Sequence, residues 1–210
     1  FGKFLNFLEK NEFGCANSFD VVIDGGNVGL YGGVKELEYS RIGKIFANLV
    51  KSKKINKKKI LLVLNARHKS LERHIVGAIN KSLNLGESSF DPFIYWSQRG
   101  VNDDLYILYT AIYNCNSLQG KAKITKIVSN DKFQDHQYLA GFPLFFKRWI
   151  ADCVVGHTDG KMSRYNSYSR CIQFNIHPPE ADKHSKIDIF LPIEGSFDIC
   201  KISTKIHPDS

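Results

Sequence analysis

The sequence predicts an α/β fold with a mainly parallel central sheet and a small antiparallel β appendage at its C-terminal end. Between residues 19 and 150, short apolar runs rich in β-branched residues alternate with segments of helical periodicity. Such alternation is typical of a parallel sheet covered by helices. After about residue 152, apolar and polar residues alternate instead, as in antiparallel strands. We therefore expect a core over residues 1–152 and an appendage over residues 153–210.

The predicted elements of the core follow in order. Residues 1–10 carry apolar side chains at helical spacing and predict a packing helix before the sheet. The first strand ends at Asp24, and Gly25, Gly26 and Gly29 are interpreted as allowing a tight turn and a close approach to a ligand. The later elements are a helix over residues 36–50, a strand over 60–64, a helix over 66–85, a strand over 93–96, a helix after 102, a strand over 124–129, and helical segments after 130 and over 144–150.

Acidic residues occur where these elements meet. Asn102 is predicted to cap a helix, which puts Asp103 and Asp104 in a first turn, where the helix dipole favours negative charge. Taken alone, this pair needs no role beyond complementing the dipole. Asp131 follows the fourth strand and is expected to share a helical face with Asp135. Because the active crevice of a parallel sheet lies beyond the carboxyl ends of its strands, we expect the acids at these junctions to converge on one metal site.

Converging carboxylates indicate a hydrolytic chemistry. Carboxylates without a neutralising partner repel one another unless a cation lies among them, and oxygen-only ligation suits Mg²⁺ or Mn²⁺ rather than Zn²⁺. One or two such ions would activate a water and stabilise the leaving oxygen of a phosphodiester. The sequence has no GxSxG elbow, which a serine hydrolase would need. It also has neither the HExxH motif nor the paired cysteines that a zinc hydrolase site would use. A glycosidase would also use two carboxylates, but the basic composition gives no support for a sugar substrate. The residues thus favour metal-dependent phosphodiester hydrolysis and leave the substrate open.

The composition bounds the partners and the compartment. A net charge of +8 over 210 residues suits a polyanionic partner. The basic run at residues 51–59, KSKKINKKK, is either a phosphate contact or, more commonly for such runs, a solvated loop. Basic residues of the helix over 66–85 are expected to face RNA in part, with His68 and His74 as surface residues rather than ligands. The five scattered cysteines predict a reducing, intracellular compartment, and no apolar run approaches the roughly 18 residues of a membrane span.

Four motifs in the same order resemble the metallonuclease domain of protein-only ribonuclease P, in the NYN/PIN-like nuclease group. The matching segments are residues 1–8 (FGKFLNFL, like the family's FxxFxxWL), 19–30 (FDVVIDGGNVGL, like FDxVxDGxNxGL), 102–106 (NDDLY, like NDDWY) and 129–136 (SNDKFQDH, like (S/T)(N/R)DxxRDH), with a weaker match at 145–149 (FFKRW). The third motif has Leu105 where the family has Trp, and the fourth has Gln134 where it has Arg. The resemblance implies a three-layer PIN-like core.

The resemblance also implies a role for each matching residue. The implied catalytic acids and metal ligands are Asp24, Asp103, Asp104 and Asp131, holding Mg²⁺ with Mn²⁺ as a substitute. Asn27, Asp135 and His136 are implied to position these ligands or the substrate, with a purely structural hydrogen bond as the equal alternative for His136. The implied reaction removes the 5′ leader of precursor tRNA and leaves a 5′-phosphate on the mature tRNA.

Departures from the family concern its structural zinc site. Cys200 resembles the final zinc ligand, but Phe190 stands where the family's WHxP segment has His. His177 and His184 are possible substitutes that are each expected to lie in a loop. The family's upstream cysteine pair and its pentatricopeptide repeats, which recognise the tRNA elbow, would precede Phe1. Because the sequence begins with Phe1 and its single Met is Met162, the chain is expected to be a fragment, from a mitochondrion, another organelle or the nucleus.

Two other functions are compatible with the same residues. One is a PIN-like endoribonuclease that acts on other RNA, and the other is a non-catalytic RNA-binding or scaffold subunit that keeps the fold. A scaffold has little reason to hold four converging carboxylates. Metal-dependent thermal stabilisation distinguishes a scaffold from an enzyme, because only a protein that binds the ion in its folded state is stabilised by it.

Overall fold

The computed structural model describes most of the chain. The described residues are 4, 7, 8, 19–85, 89–98, 100–115, 125–139, 143–163, 173–177, 185–192 and 199–206, without the side chains of residues 112–115, 137–139, 143–146, 148 and the last three ranges. In these ranges, no helix has both the length and the apolar character that crossing a membrane requires.

A parallel sheet forms the centre of the fold. Within the described part of the chain it has five strands in the order β3-β2-β1-β4-β5. The strands are β1 (Val21–Asp24), β2 (Ile60–Asn65), β3 (Phe93–Ser97), β4 (Lys126–Val128) and β5 (Val154–Val155). The chain adds β2 and β3 on one side of β1 and then returns to add β4 and β5 on the other. This order creates a topological switch point between β1 and β4, where α/β proteins form their binding crevices.

Helices connect the strands, as the periodicity predicts. They are α1 (Gly25–Gly29), α2 (Tyr39–Lys51), α3 (Glu72–Leu83), α4 (Asp104–Cys115), α5 (Gln134–Leu139) and α6 (Pro143–Cys153), with 3₁₀ turns at Lys57–Lys59 and Ala66–Leu71. The segment predicted as one helix over 66–85 is therefore a 3₁₀ turn followed by α3. Helix α3 ends at Leu83, and Asn84 follows as its C-cap with a φ of 60°, the left-handed conformation.

Alternate residues of the strands face two separate cores. Val21 and Ile23 pack with α2 and α3, whereas Val22 packs on the other face with Trp149 of α6. Phe4, Phe7 and Leu8 are in helical conformation; Phe4 and Leu8 are buried in this second core, and Phe7 is partly buried against it. The result is helix, sheet and helix in three layers, which confirms the predicted class.

The glycines after β1 serve packing rather than a tight turn, so that part of their interpretation is wrong. Residues 25–29 form the single helical turn α1. A Cβ added at Gly25 would lie 2.6 Å from Leu64 Cδ2, and one at Gly29 would lie 2.5 Å from Leu37 Cδ1. Neither glycine has a positive φ. The missing side chain of Gly25 lets α1 lie close against β2, and that of Gly29 lets the segment at Leu37 pack against α1.

The C-terminal part contains the predicted antiparallel strands. Strands β8 (Gln173–His177), β9 (Ser185–Pro192) and β10 (Ile199–Ile206) pair in the order β10-β9-β8. His177 therefore lies in a strand and not in a loop, and His184 lies outside the described residues. A two-stranded hairpin, β6 (His157–Thr158) and β7 (Lys161–Met162), was not predicted. Strand β5 continues the main sheet just past residue 152, and the boundary between core and appendage stays a prediction.

Candidate active site

Asp24 lies at the centre of the site. It is the last residue of β1 and caps α1, because its Oδ1 accepts a hydrogen bond of 2.9 Å from the Asn27 backbone amide. Its Oδ2 accepts a second one, of 2.8 Å, from Ser129 Oγ at the end of β4. The side chain is buried, with 6% of the residue exposed. The sequence places this acid here because the apolar strand before it is buried on both faces and can carry a charge only at its end.

Asp103 and Asp104 approach the same edge from the start of α4. Asn102 Oδ1 accepts a hydrogen bond of 3.0 Å from the Asp104 backbone amide, which confirms the predicted cap. Helix α4 lies between β3 and β4 in the chain, and these two strands run parallel in one sheet, so its N-terminus stands at the carboxyl edge of the strands. Asp103 Oδ2 and Asp24 Oδ1 both lie 3.6 Å from the position that a Cβ at Gly26 would take. The distance between these two oxygens is therefore at most twice 3.6 Å.

Asp131 reaches the site from the loop after β4. Its backbone amide donates to Ser129 Oγ at 3.0 Å, and its Oδ1 accepts from the Phe133 amide at 2.8 Å. Helix α5 begins only at Gln134, so the expectation that Asp131 shares a helical face with Asp135 is wrong. The side chain of Asp131 bonds to the backbone two residues on and holds the loop in a turn that precedes the helix.

The acids line one groove at the switch point. A cleft of about 470 Å³ is lined by Asp24, Gly26, Asn27, Leu30, Tyr31, Gly32, Arg67, Asp103, Asp104, Asn130 and Asp131. A second cleft, of about 420 Å³, adjoins it and shares Asp104, Asn130 and Asp131. The second cleft is also lined by Asp135 and His136. All seven residues predicted for the site from Asp24 to His136 thus lie along the groove.

Burial and mutual repulsion disfavour charge on these acids. Desolvation raises the pKa of Asp24 to about 7, against the opposing hydrogen bonds from Asn27 and Ser129, and the nearby charges of Asp103 and Asp104 raise it further. Burial is also the main cause of the raised pKa of Asp104. Asp24 forms no ion pair with a described lysine, arginine or histidine. Asp24, when ionised, therefore carries its charge beside other acids and without a paired cation among the described residues.

The donor chemistry fits a hard divalent cation. Each acid offers carboxylate oxygens, the ligands that Mg²⁺ and Mn²⁺ prefer. Over the described residues, no three His, Cys, Asp or Glu side chains are clustered tightly enough to hold an ion as they stand. The acids line the groove without closing around one point. Cys200 lies in β10, where it pairs with Leu191, but its side chain is outside the description, and the zinc site stays a prediction.

His136 lies beside one of the acids. Its Nε2 lies 3.3 Å from Asp104 Oδ2 and 3.4 Å from Asn102 Nδ2. A proton on Nε2 would be donated to Asp104, whereas a bare Nε2 would accept from the Asn102 amide. The two contacts exclude each other, so this imidazole has one arrangement for each protonation state of Nε2.

Asn27 is held by a network that the sequence analysis missed. Its Oδ1 accepts from the Asn130 backbone amide at 2.8 Å and lies 2.9 Å from His157 Nε2. Asn130 in turn accepts from the His157 amide at 2.8 Å and donates to the His157 carbonyl at 2.9 Å. His157 belongs to the β6–β7 hairpin, whose turn contains Asp159 and Gly160. This Asp-Gly pair is a hairpin signal that the sequence offered.

Comparison with known proteins places these motifs in a family. The family model described as protein-only RNase P matches residues 1–173. The chain belongs to the protein-only RNase P family. The structure is similar to Arabidopsis thaliana nuclear protein-only RNase P 2, with a TM-score of 0.56 and 21% sequence identity. That likeness covers 90% of this chain but only 36% of the Arabidopsis chain, and it concerns the fold. No curated protein matched in a sequence search.

Two basic features of this protein-only RNase P chain lie at opposite edges of the sheet. Arg67 lines the groove, and its Nε donates to His68 Nε2 at 2.9 Å. Burial and Arg67 lower the pKa of His68, which keeps that imidazole a neutral acceptor. The basic run 51–59 instead leads into Ile60, which pairs with Val21 at the end of β1 opposite Asp24. The run is thus remote from the acids, and its role as a phosphate contact stays a prediction.

Proposed function

We propose that this chain is the metal-dependent nuclease domain of a protein-only RNase P and removes the 5′ leader of precursor tRNA. The observation that supports this most directly is Asp24. It is a buried carboxyl at the switch point, close to other acids and without a cationic partner among the described residues. Such a group is costly to ionise unless a bound cation balances its charge. Family membership supplies the substrate class, and the acidic groove supplies the chemistry.

The groove acids are proposed to hold Mg²⁺, with Mn²⁺ as a substitute. Asp24, Asp103, Asp104 and Asp131 would share the ligation of the ion. The ion would activate a water and stabilise the leaving oxygen when bound. Asp24 has the smallest freedom to move because both of its oxygens are already hydrogen-bonded. It would therefore fix the position of the ion, and the other acids would adjust to it.

The proposed reaction is hydrolysis of one phosphodiester. The water oxygen bonds to phosphorus as the bond from phosphorus to the 3′ oxygen of the leader breaks, and the leaving oxygen takes up a proton. The mature tRNA then keeps the 5′-phosphate. His136 is able to hold a proton at Nε2 next to Asp104, and Arg67 presents a guanidinium on the groove wall to a phosphate. Asn27 would position the substrate.

The test is cleavage of precursor tRNA labelled at its 5′ end. The full-length protein is used, because the likeness to the Arabidopsis protein covers only 36% of that chain. Reactions contain Mg²⁺ or EDTA, and an Asp131→Ala variant is run beside the wild type. We expect a single cut at the mature 5′ end that requires the metal and is lost in the variant.

Other outcomes identify the alternatives. Metal-dependent cuts scattered over unrelated RNAs would indicate an endoribonuclease with a different substrate. RNA binding without cleavage, in a protein whose melting temperature does not respond to Mn²⁺, would indicate a scaffold. A cut that persists in EDTA would contradict the proposed role of the acids.

A further inference from the structure

His157 is placed at the groove by a braced hairpin. The residue is 3% exposed, and its backbone forms two hydrogen bonds with the Asn130 side chain. At the hairpin turn, Arg41 Nε of α2 pairs with Asp159 Oδ1 at 3.0 Å. Arg41 also donates from Nη1 to the Tyr31 carbonyl at 2.6 Å, and the Tyr31 ring meets the His157 ring edge-on at 5.4 Å. The imidazole is therefore held from several sides.

The hydrogen bonds fix which ring nitrogen carries the proton. The Asn130 backbone amide can only donate, so the Asn27 atom that it contacts at 2.8 Å is the carbonyl oxygen Oδ1. His157 Nε2 lies 2.9 Å from the same oxygen and must therefore be a protonated donor. His157 Nδ1 is buried and has no partner among the described residues. Burial, aided by the Arg41 charge, lowers the pKa of His157, which keeps the ring neutral.

The consequence is a fixed orientation of the Asn27 carboxamide. Its Oδ1 accepts from two donors, the Asn130 backbone amide and His157 Nε2. Rotating the carboxamide by 180° would place Nδ2, which is itself a donor, against both of them. Within the described residues, Nδ2 has no hydrogen-bond partner, and Asn27 lines the groove together with the acids. An amide N–H at this position suits a phosphate oxygen, which accepts hydrogen bonds readily.

We propose that His157 is a positioning residue, which donates from Nε2 to Asn27 Oδ1 and so holds Asn27 Nδ2 toward a phosphate oxygen of the bound RNA. This inference rests on the proposed nuclease function and adds to it a residue from outside the acidic motifs. His157 touches neither the acids nor the substrate. Its effect reaches the reaction only through the orientation of one amide.

The kinetic test replaces the imidazole while keeping the fold. His157→Phe keeps a ring beside Tyr31 and loses the N–H donor, and His157→Gln keeps a donor at a similar reach. His74→Phe is the matched control, because His74 is exposed on α3 and does not line the groove. Single-turnover cleavage of precursor tRNA by the full-length protein is measured with Mg²⁺, and RNA affinity is measured in Ca²⁺.

We expect His157→Phe to lower the single-turnover rate by roughly 10- to 100-fold, since small misplacements of a positioning group carry such costs. RNA affinity should change by less than about threefold, because one hydrogen bond is a small part of a phosphate-dominated interface. His157→Gln should recover most of the rate. Wild-type rates in His157→Phe, or equal defects in His157→Phe and His157→Gln, would overturn the proposal.

A double-mutant cycle tests whether His157 acts through Asn27. If it does, His157→Phe should slow an Asn27→Ala protein no further, because the amide that it orients is already gone. Rate losses that multiply would mean that His157 acts by another route, and the proposal would be wrong. Melting temperatures of all variants are compared with that of the wild type, so that a loss of rate caused by partial unfolding is recognised.

A spectroscopic readout separates this proposal from the nuclease function. Histidine ¹⁵N shifts of the full-length protein, assigned with His157→Gln, report the tautomer without any cleavage. We expect a neutral ring with the proton on Nε2 near pH 7. A proton on Nδ1 would refute the positioning role even if the protein cleaves precursor tRNA. If the wild-type protein does not cleave precursor tRNA, the nuclease proposal is refuted. The catalytic role of the hydrogen bonds between His157 and Asn27 is then refuted as well, even if the proton is on Nε2.

Discussion

Ser129 Oγ donates a hydrogen bond of 2.8 Å to Asp24 Oδ2 and joins the carboxyl ends of β4 and β1. Ser129 Oγ also accepts a hydrogen bond of 3.0 Å from the Asp131 backbone amide. One hydroxyl thus connects the most buried acid of the groove to the loop that carries another. It also stabilises the charged form of Asp24, because it is a donor to the carboxylate, and so opposes the effect of burial on the pKa.

Ser129→Ala should weaken the metal site without removing a ligand. The pKa of Asp24 rises further when this donor is lost, and the Asp131 loop loses an anchor. We expect metal affinity to fall by roughly 10- to 100-fold, as for other groups that orient ligands. The pH at which cleavage reaches half its maximum should rise. Mn²⁺ titrations and pH–rate profiles measure both, with Ser70→Ala, at an exposed position, as the matched control. A metal affinity equal to that of the wild type would contradict this role.

Asp24→Asn should stabilise the metal-free protein at alkaline pH. Folding raises the pKa of Asp24 from 3.8 to about 7, so the folded state binds a proton more tightly than the unfolded state. The resulting stability is fully present below about pH 4 and is lost as the pH rises through about 7. Asparagine has no such dependence. At pH 8 in EDTA, the variant should gain at most about 4 kcal/mol in the free energy of unfolding.

Urea unfolding at pH 5 and pH 8 measures this difference. Asp91→Asn, at an exposed position, controls for the loss of a surface charge and should change little. Added Mn²⁺ should raise the stability of the wild type at pH 8 and have little effect on Asp24→Asn. Equal stability of variant and wild type at pH 8 would show that the carboxyl is not strained by burial.

Arg67→Gln should weaken RNA binding more than Lys53→Gln does. Both changes remove one positive charge, but Arg67 lines the groove, whereas Lys53 is exposed in the basic run at the other edge of the sheet. A phosphate contact contributes about one unit to the slope of log affinity against log salt concentration. We expect the slope to fall by about one for Arg67→Gln and to stay constant for Lys53→Gln. Equal effects would mean that the RNA also reaches the basic run.

The fold was predictable because each core element carries its own pattern. The strand before Asp24 is apolar throughout and ends in a charge, and Asn102 marks the start of α4 by its capping side chain. Local signals of this kind, placed on a parallel sheet, were enough to bring the acids to one edge. The family motifs then gave each acid an expected role.

The rest depended on contacts between residues far apart in the chain. His157 is one histidine in a polar stretch, and only the folded hairpin brings it to Asn27, 130 residues earlier. In the sequence, Gly25 indicates a turn. The structure shows instead that Leu64 leaves no room for a side chain at this position. The four-residue spacing of Asp131 and Asp135 predicted that both lie on one helix. In the structure, the Asp131 side chain accepts a hydrogen bond from the Phe133 amide, and the helix begins after it. Such competition between local bonds and periodicity is not visible in a pattern of apolar residues.

The central claim, that the groove acids hold the ion used for cleavage, is tested most directly with an Asp103→Asn, Asp104→Asn double variant of the full-length protein. Its cleavage of precursor tRNA in Mg²⁺ and its RNA affinity in Ca²⁺ are measured beside the wild type. We predict that cleavage falls by at least about 1,000-fold, that RNA affinity changes by less than about threefold and that Mn²⁺ no longer raises the melting temperature. Cleavage at a near-normal rate by the double variant would contradict the account.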